Sequence, residues 1–136
     1  GGAAALAISL HAADDATRAR LVPGATAPLA EIVAALERYP LPRRRRFTIE
    51  YVLVDGVNDD VRHARALVRL LASLRVKVNL LPLNPHDRTD LRPPSDARVA
   101  AFQRALLDKG VSAFLRRRRG ADIGAACGQL LAASSD

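Results

Sequence analysis

The apolar positions of this chain alternate between two spacings. Ala5 to His11 (ALAISLH) is short, apolar and bounded by polar residues, which predicts a buried strand. From Leu29 to Tyr39 the apolar residues Ile32, Val33, Leu36 and Tyr39 recur at helical spacing, and Pro40 and Pro42 stop the pattern. Phe47 to Val54 (FTIEYVLV) is rich in β-branched and aromatic residues and predicts a second strand. Asp55-Gly56 marks a turn, and Asn58, Asp59 and Asp60 offer caps for a helix with the stripe Val61, Ala64, Leu67, Val68 and Leu71. Val76 to Leu83 (VKVNLLPL) predicts a third strand, followed by a polar, proline-rich loop from Asn84 to Pro94. Ser95 caps a further helix with Val99, Phe102, Ala105 and Leu106 facing inward and Gly110 as its stop. Val111 to Arg117 then predicts a fourth strand and Asp122 to Ala132 a last helix.

Strand–helix alternation of this kind predicts an α/β fold with parallel strands and right-handed crossover helices. The pattern fits a doubly wound sheet and part of a barrel equally well. In both, ligands bind at the carboxyl ends of the strands. That rule singles out Ser9 and His11, Asp55, Asn84, and the arginines after the fourth strand.

Composition narrows the class. The 136 residues suit one domain or a part of one, and 49% hydrophobic content supports a core built from aliphatic side chains, since aromatics make up only 4%. No apolar run reaches the roughly 18 residues that span a bilayer, and Gly1 to Leu10 lacks the basic start of a signal peptide. A single cysteine forms no internal disulfide, which fits a reducing, cytoplasmic setting. The chain contains no methionine and begins Gly-Gly, so it reads as a fragment of a longer chain. The net charge is +7, and lysine occurs only at 77 and 109, so arginine carries nearly all of the positive charge. Guanidinium groups grip phosphates in pairs of hydrogen bonds, which makes RNA or DNA a candidate partner beside a merely solvated surface.

Individual residues carry different weights. Ser9 and His11, two apart on a strand, are expected on one face. No triad partner or Gly-x-Ser-x-Gly elbow accompanies them. A histidine in such a place is more often hydrogen-bonded structure than catalyst, and His63, between Arg62 and Arg65, reads as surface. His11, His63, His86 and Cys127 lack zinc-ligand spacing, so no metal site is expected from them. Glu50, inside a strand with Thr48 and Val52 on its face, needs a partner, either in a site or in a salt bridge to an arginine. Asn84 suits loop shaping or a nucleoside contact. Arg43 to Arg46 precede a strand and read as solvated surface, with RNA contact as the second reading, whereas Arg116 to Arg119 follow one and suit an anionic substrate. Cys127, among small residues and downstream of those arginines, is either a small buried hydrophobe or a thiol biased toward thiolate.

The ordered set Ser9-Leu10-His11-Ala12, Thr48 to Val52 (TIEYV), Asp55 to Asp59 (DGVND), Asn79 to Pro85 (NLLPLNP) and Arg119-Gly120 through Ala125 to Leu130 (AACGQL) resembles the radical-SAM RNA methyltransferases that modify adenine at C2. The likeness runs from Leu6 to Leu131. It implies the C-terminal part of an incomplete (β/α) radical-SAM barrel, with residues 1–136 as one portion of that domain. It implies that Cys127 is catalytic, taking a methyl from S-adenosylmethionine to become S-methylcysteine, and that Ser9, Leu10, His11 and Asn84 bind S-adenosylmethionine. It further implies a [4Fe-4S] cluster, ribosomal RNA and transfer RNA as substrates, an electron donor, no membrane association, and a monomeric full-length enzyme. The family's C-x3-C-x2-C cluster run, its resolving cysteine and its upstream Gly-Glu pair are absent from this sequence, and one cysteine cannot hold a cluster. The cluster ligands are therefore expected on an upstream part of the parent chain, and the isolated segment is expected to be inactive and marginally stable. Two rivals remain at this stage: a sibling that methylates adenine C8, and a basic RNA-binding remnant with no catalysis.

Overall fold

The computed structural model describes residues 6–25, 27–84 and 90–117. Their elements run β1 (Ala7–Ser9), α1 (Asp15–Leu21), α2 (Leu29–Arg38), β2 (Phe47–Leu53), α3 (Val61–Leu70), β3 (Val76–Pro82), α4 (Asp96–Asp108) and β4 (Ser112–Leu115). The strands form one sheet in the order β1-β2-β3-β4, and every pair is parallel. A doubly wound sheet reverses its strand order at a switch point. The described strands show no such reversal, and their sequential order is that of an arc of a (β/α) barrel.

Local chemistry accounts for the helix boundaries. Asp14 caps α1, its carboxylate accepting from the Thr17 N–H at 2.7 Å and hydroxyl at 2.9 Å. Asp15 accepts from the Leu29 N–H at 2.8 Å, which ties the start of α1 to the start of α2. Asp60 caps α3 by accepting from the Arg62 N–H at 2.9 Å, and His63 Nδ1 accepts in return from the Asp60 N–H at 3.1 Å. His63 is thus a capping residue. Ser95 caps α4, as expected, and Gly110 ends it with φ 79°, a left-handed conformation that the absence of a Cβ permits.

Helix α1 has no counterpart in the predicted elements. It is only seven residues long, and Leu21 is its one buried side chain, so it carries too little apolar periodicity to register. Strand β1 is shorter than the predicted Ala5 to His11, and β4 is shorter than Val111 to Arg117. The helix predicted over Asp122 to Ala132 lies outside the described residues.

The sheet's two faces differ. Ile49, Tyr51, Leu53, Val78 and Leu80 point toward the helices and join Leu29, Leu36, Ala64, Leu67, Phe102 and Leu106 in the main core. The Tyr51 and Phe102 rings meet there at 5.1 Å. At roughly 25 cal/mol per Å² of apolar surface removed from water, this layer is the principal source of stability. On the opposite face a smaller cluster, Val52, Val54, Leu81 and Leu83 with Leu21, covers only the carboxyl ends of β2 and β3. Elsewhere that face carries the polar residues Ser9, Thr48, Glu50, Lys77, Asn79 and Ser112 beside Ala7 and Phe114.

Candidate active site at the carboxyl edge of the sheet

Parallel strands bring all their carboxyl ends to one edge. Ser9 ends β1 and is exposed, and Leu10 continues the ladder, its N–H donating to the Glu50 carbonyl at 3.0 Å while its side chain is buried in the core. At His11 the chain leaves the strand with φ 61°, a left-handed conformation that is uncommon for a residue with a side chain. The expectation that Ser9 and His11 share a strand face is therefore corrected: the backbone turns between them.

His11 is buried and locked from both sides. Its Nδ1 accepts from the Val52 N–H at 3.0 Å, so the imidazole is neutral with its proton on Nε2. Its carbonyl accepts from Asn58 Nδ2 at 2.8 Å. Asn58 is the hub of this end of the sheet. Its Nδ2 also donates to the Val52 carbonyl at 2.7 Å, its Oδ1 accepts from the Val54 N–H at 2.8 Å, and its own carbonyl accepts from the Tyr51 hydroxyl at 2.8 Å. Burial, reinforced by the carboxylates of Asp14 and Asp59, pushes the Tyr51 phenol far above its usual range and keeps it a donor. Asp59, also buried, accepts from the Gly56 N–H at 3.0 Å and takes both arms of Arg98 at 3.1 and 3.2 Å. The bidentate contact with Asp59 raises the Arg98 pKa further. Sequence reasoning treated Asn58 and Asp59 as caps. Only Asp60 caps α3, and the other two fasten the turn that presents His11. The polar residues in the turn Asp55 to Asp59 were the available signal, but its long-range partners, 47 and 39 residues away, were not legible.

Asn84 lies one residue beyond Leu83, whose N–H donates to the Leu53 carbonyl at 3.0 Å. The Ser9–His11 run and Asn84 thus share the carboxyl edge, on strands flanking β2. A polar layer lies deeper on the face away from the main helical core. Ser9, Glu50 and Asn79 are in register across β1, β2 and β3. Asn79 Nδ2 donates to Glu50 Oε2 at 3.2 Å, and Arg116 Nε donates to Asn79 Oδ1 at 3.5 Å. The Arg116 guanidinium also sits 5.3 Å over the Phe114 ring. Glu50 therefore takes Asn79 as a partner, and Arg116 reaches the layer through that amide. Arg117 donates instead to Asp96 at 3.2 Å. Cys127 and the rest of the Arg119 to Leu130 motif lie outside the described residues.

An exposed hydroxyl, a histidine held as an Nε2–H tautomer and a half-buried amide along one edge fit a nucleoside-type ligand such as S-adenosylmethionine. An iron–sulfur cluster does not fit: among the described residues no group of three His, Cys, Asp or Glu side chains is placed to hold a metal. No helix among the described residues is long and apolar enough to cross a membrane.

The sequential parallel sheet, with its polar carboxyl edge, has the architecture of part of a (β/α) barrel, and a solved structure narrows the class to the radical-SAM type. A crystal structure of a radical SAM methyltransferase from Sphaerobacter thermophilus superposes with a TM-score of 0.82 at 46% identity, covering 93% of this chain and 38% of that one. A domain of pyruvate-formate lyase-activating enzyme from Bacteroides vulgatus, 24% identical with a TM-score of 0.62, shares the fold. No family model matches. Among curated proteins, the dual-specificity RNA methyltransferase RlmN of Sorangium cellulosum is 60% identical over 132 residues, covering 96% of this chain and 34% of that protein. The protein of the same name in Syntrophobacter fumaroxidans is 53% identical over 128 residues, covering 93% and 37%. Over nearly all of its own length the chain is similar to these RNA methyltransferases, and it spans about a third of the length of the curated relatives it matches.

Proposed function

We propose that this chain is the C-terminal portion of a dual-specificity RNA methyltransferase that modifies adenine C2 in 23S ribosomal RNA and in transfer RNA, in the cytoplasm. The observation that carries the reading is the placement of Ser9, Leu10, His11 and Asn84 on one carboxyl edge, in a chain 60% identical to a protein of that name. In this reading that edge binds S-adenosylmethionine. The Ser9 hydroxyl and Asn84 amide supply polar contacts, and the Asn58 lock holds His11 with its Nε2–H as donor.

Cys127 is the methyl carrier. Its thiol loses a proton, a change that the arginines Arg116 to Arg119 upstream would favour. The thiolate sulfur forms a bond to the methyl carbon of S-adenosylmethionine as the bond from that carbon to the sulfonium breaks. S-adenosylhomocysteine leaves and S-methylcysteine remains. Adenine C2 is too poor a nucleophile to take a methyl this way, so its modification needs the reductive chemistry that a [4Fe-4S] cluster and an electron donor supply. The cluster's ligands would lie outside these 136 residues, consistent with the share of the relatives that the chain covers.

The test places Cys127→Ala in the full-length parent with its iron centre loaded. Methylation of RNA is expected to vanish, together with the added mass of about 14 Da, one CH₂, that the unsubstituted protein shows after incubation with S-adenosylmethionine. Undiminished turnover by the variant would reject the assignment, and mapping the methyl on the base separates C2 from C8.

A further inference from the structure

The opposite end of the sheet carries a second feature, remote from this edge. Arg43, Arg44, Arg45 and Arg46 precede β2, Arg75 precedes β3 and Lys109 closes α4, and all six line one groove of about 610 Å³ at the amino ends of the strands. Its floor is aliphatic, from Leu71, Leu74 and Val76, and no acidic residue among the described ones lines it. The walls are tied down. The Arg75 guanidinium donates to the carbonyls of Arg43 and Leu41, the Arg45 N–H closes a turn onto the Pro42 carbonyl at 2.9 Å, and Arg46 Nη1 donates to Ser112 Oγ at 2.9 Å. Two acids on neighbouring elements are engaged elsewhere: Asp108 faces Arg104 at 3.9 Å, and Glu37 accepts from Ser73. Among the described residues Arg43, Arg44, Arg45 and Lys109 form no ion pair.

We infer that this groove is a binding site for the phosphodiester backbone of RNA. Exposed guanidinium groups without carboxylate partners match phosphate oxygens in fork geometry. An aliphatic floor beneath a cationic rim suits sugar and base edges, whereas an isolated inorganic phosphate would use the rim alone. A concave groove with its apolar side chains at the bottom does not present them to a lipid surface. The seven residues of β2, at about 3.3 Å each, put the groove roughly 20 Å from the carboxyl edge. The contact is therefore a second grip that leaves the reacting base to the other end. Of the two readings that the sequence offers for Arg43 to Arg46, solvated surface and RNA contact, the groove favours the second.

The experiment measures binding of the full-length parent protein to a labelled RNA hairpin as salt rises from about 50 to 200 mM. Replacing Arg43, Arg44 and Arg45 together by alanine should make the slope of log affinity against log salt shallower by about two to three, the loss of roughly three phosphate contacts. The affinity itself should fall about tenfold or more. Replacing the same three by lysine should retain most of the slope, and because all are exposed, both variants should melt with the parent chain. An unchanged slope in the alanine variant overturns the inference, as does binding to anionic vesicles or to polyglutamate with none to RNA. The measurement does not use Cys127. A parent that methylates Cys127 but loses no slope sinks only the groove, and one that grips RNA here but never methylates sinks only the proposed function.

Discussion

At the scale of single residues, the carboxyl edge depends on Asn58 more than on the side chains that would touch a ligand. One buried amide satisfies the Val54 N–H and the carbonyls of Val52 and His11. Asn58→Ala would strand all three, and buried polar groups left without partners cost about 1–3 kcal/mol each. A loss of about 3 kcal/mol is expected in urea unfolding, with weaker binding of S-adenosylhomocysteine because His11 is no longer held in its left-handed conformation. Full affinity in a folded variant would show that His11 keeps its place unaided. The sequence revealed the candidates at this edge, Ser9, His11 and Asn84, because strand ends follow from the apolar runs. It did not reveal their support, because a side chain that reaches 47 residues back leaves no local periodicity.

Among the elements, α3 illustrates how far local rules reach. Its stripe and its cap were both legible: Ala64 and Leu67 are buried, and Asp60 caps the first turn. The Arg62 N–H, and secondarily the Arg98 guanidinium, hold the Asp60 carboxyl below its usual range. A folded-state pKa below the unfolded one means that this stabilisation is complete above the ordinary aspartate pKa and is lost as pH falls through the folded value. Asp60→Asn keeps a capping oxygen but does not titrate, so the decline of stability in acid, below about pH 4, should be shallower in that variant. Denaturant midpoints measured across that range would check it, and identical slopes would show that α3 is capped without charge. Helix α1 was missed for the complementary reason: what places it is the Asp15 contact with the Leu29 N–H and one buried leucine, and neither makes a repeat.

For the molecule as a whole, the strand arithmetic was legible and the sheet order was not. Four apolar runs implied four strands, but only pairing revealed that they lie side by side in chain order. Among the described strands β1 and β4 are the edges, and β4 exposes Phe114 and Leu115. Unpaired edges with apolar side chains invite association. The isolated chain is expected to self-associate as its concentration rises, and Leu115→Lys should cut the associated fraction several-fold by sedimentation velocity. A sharp, reversible, concentration-independent melt of the unsubstituted chain would show that its edges are already protected.

Chain-order pairing also bears on how the protein is made. Among the described strands, β2, β3 and β4 each pair with the one synthesised just before, so each emerges beside a partner already made. Among the described strands growth is a zipper, and a nascent chain whose residues through Leu83 have left the ribosome holds every strand of the ladder from β1 to β3.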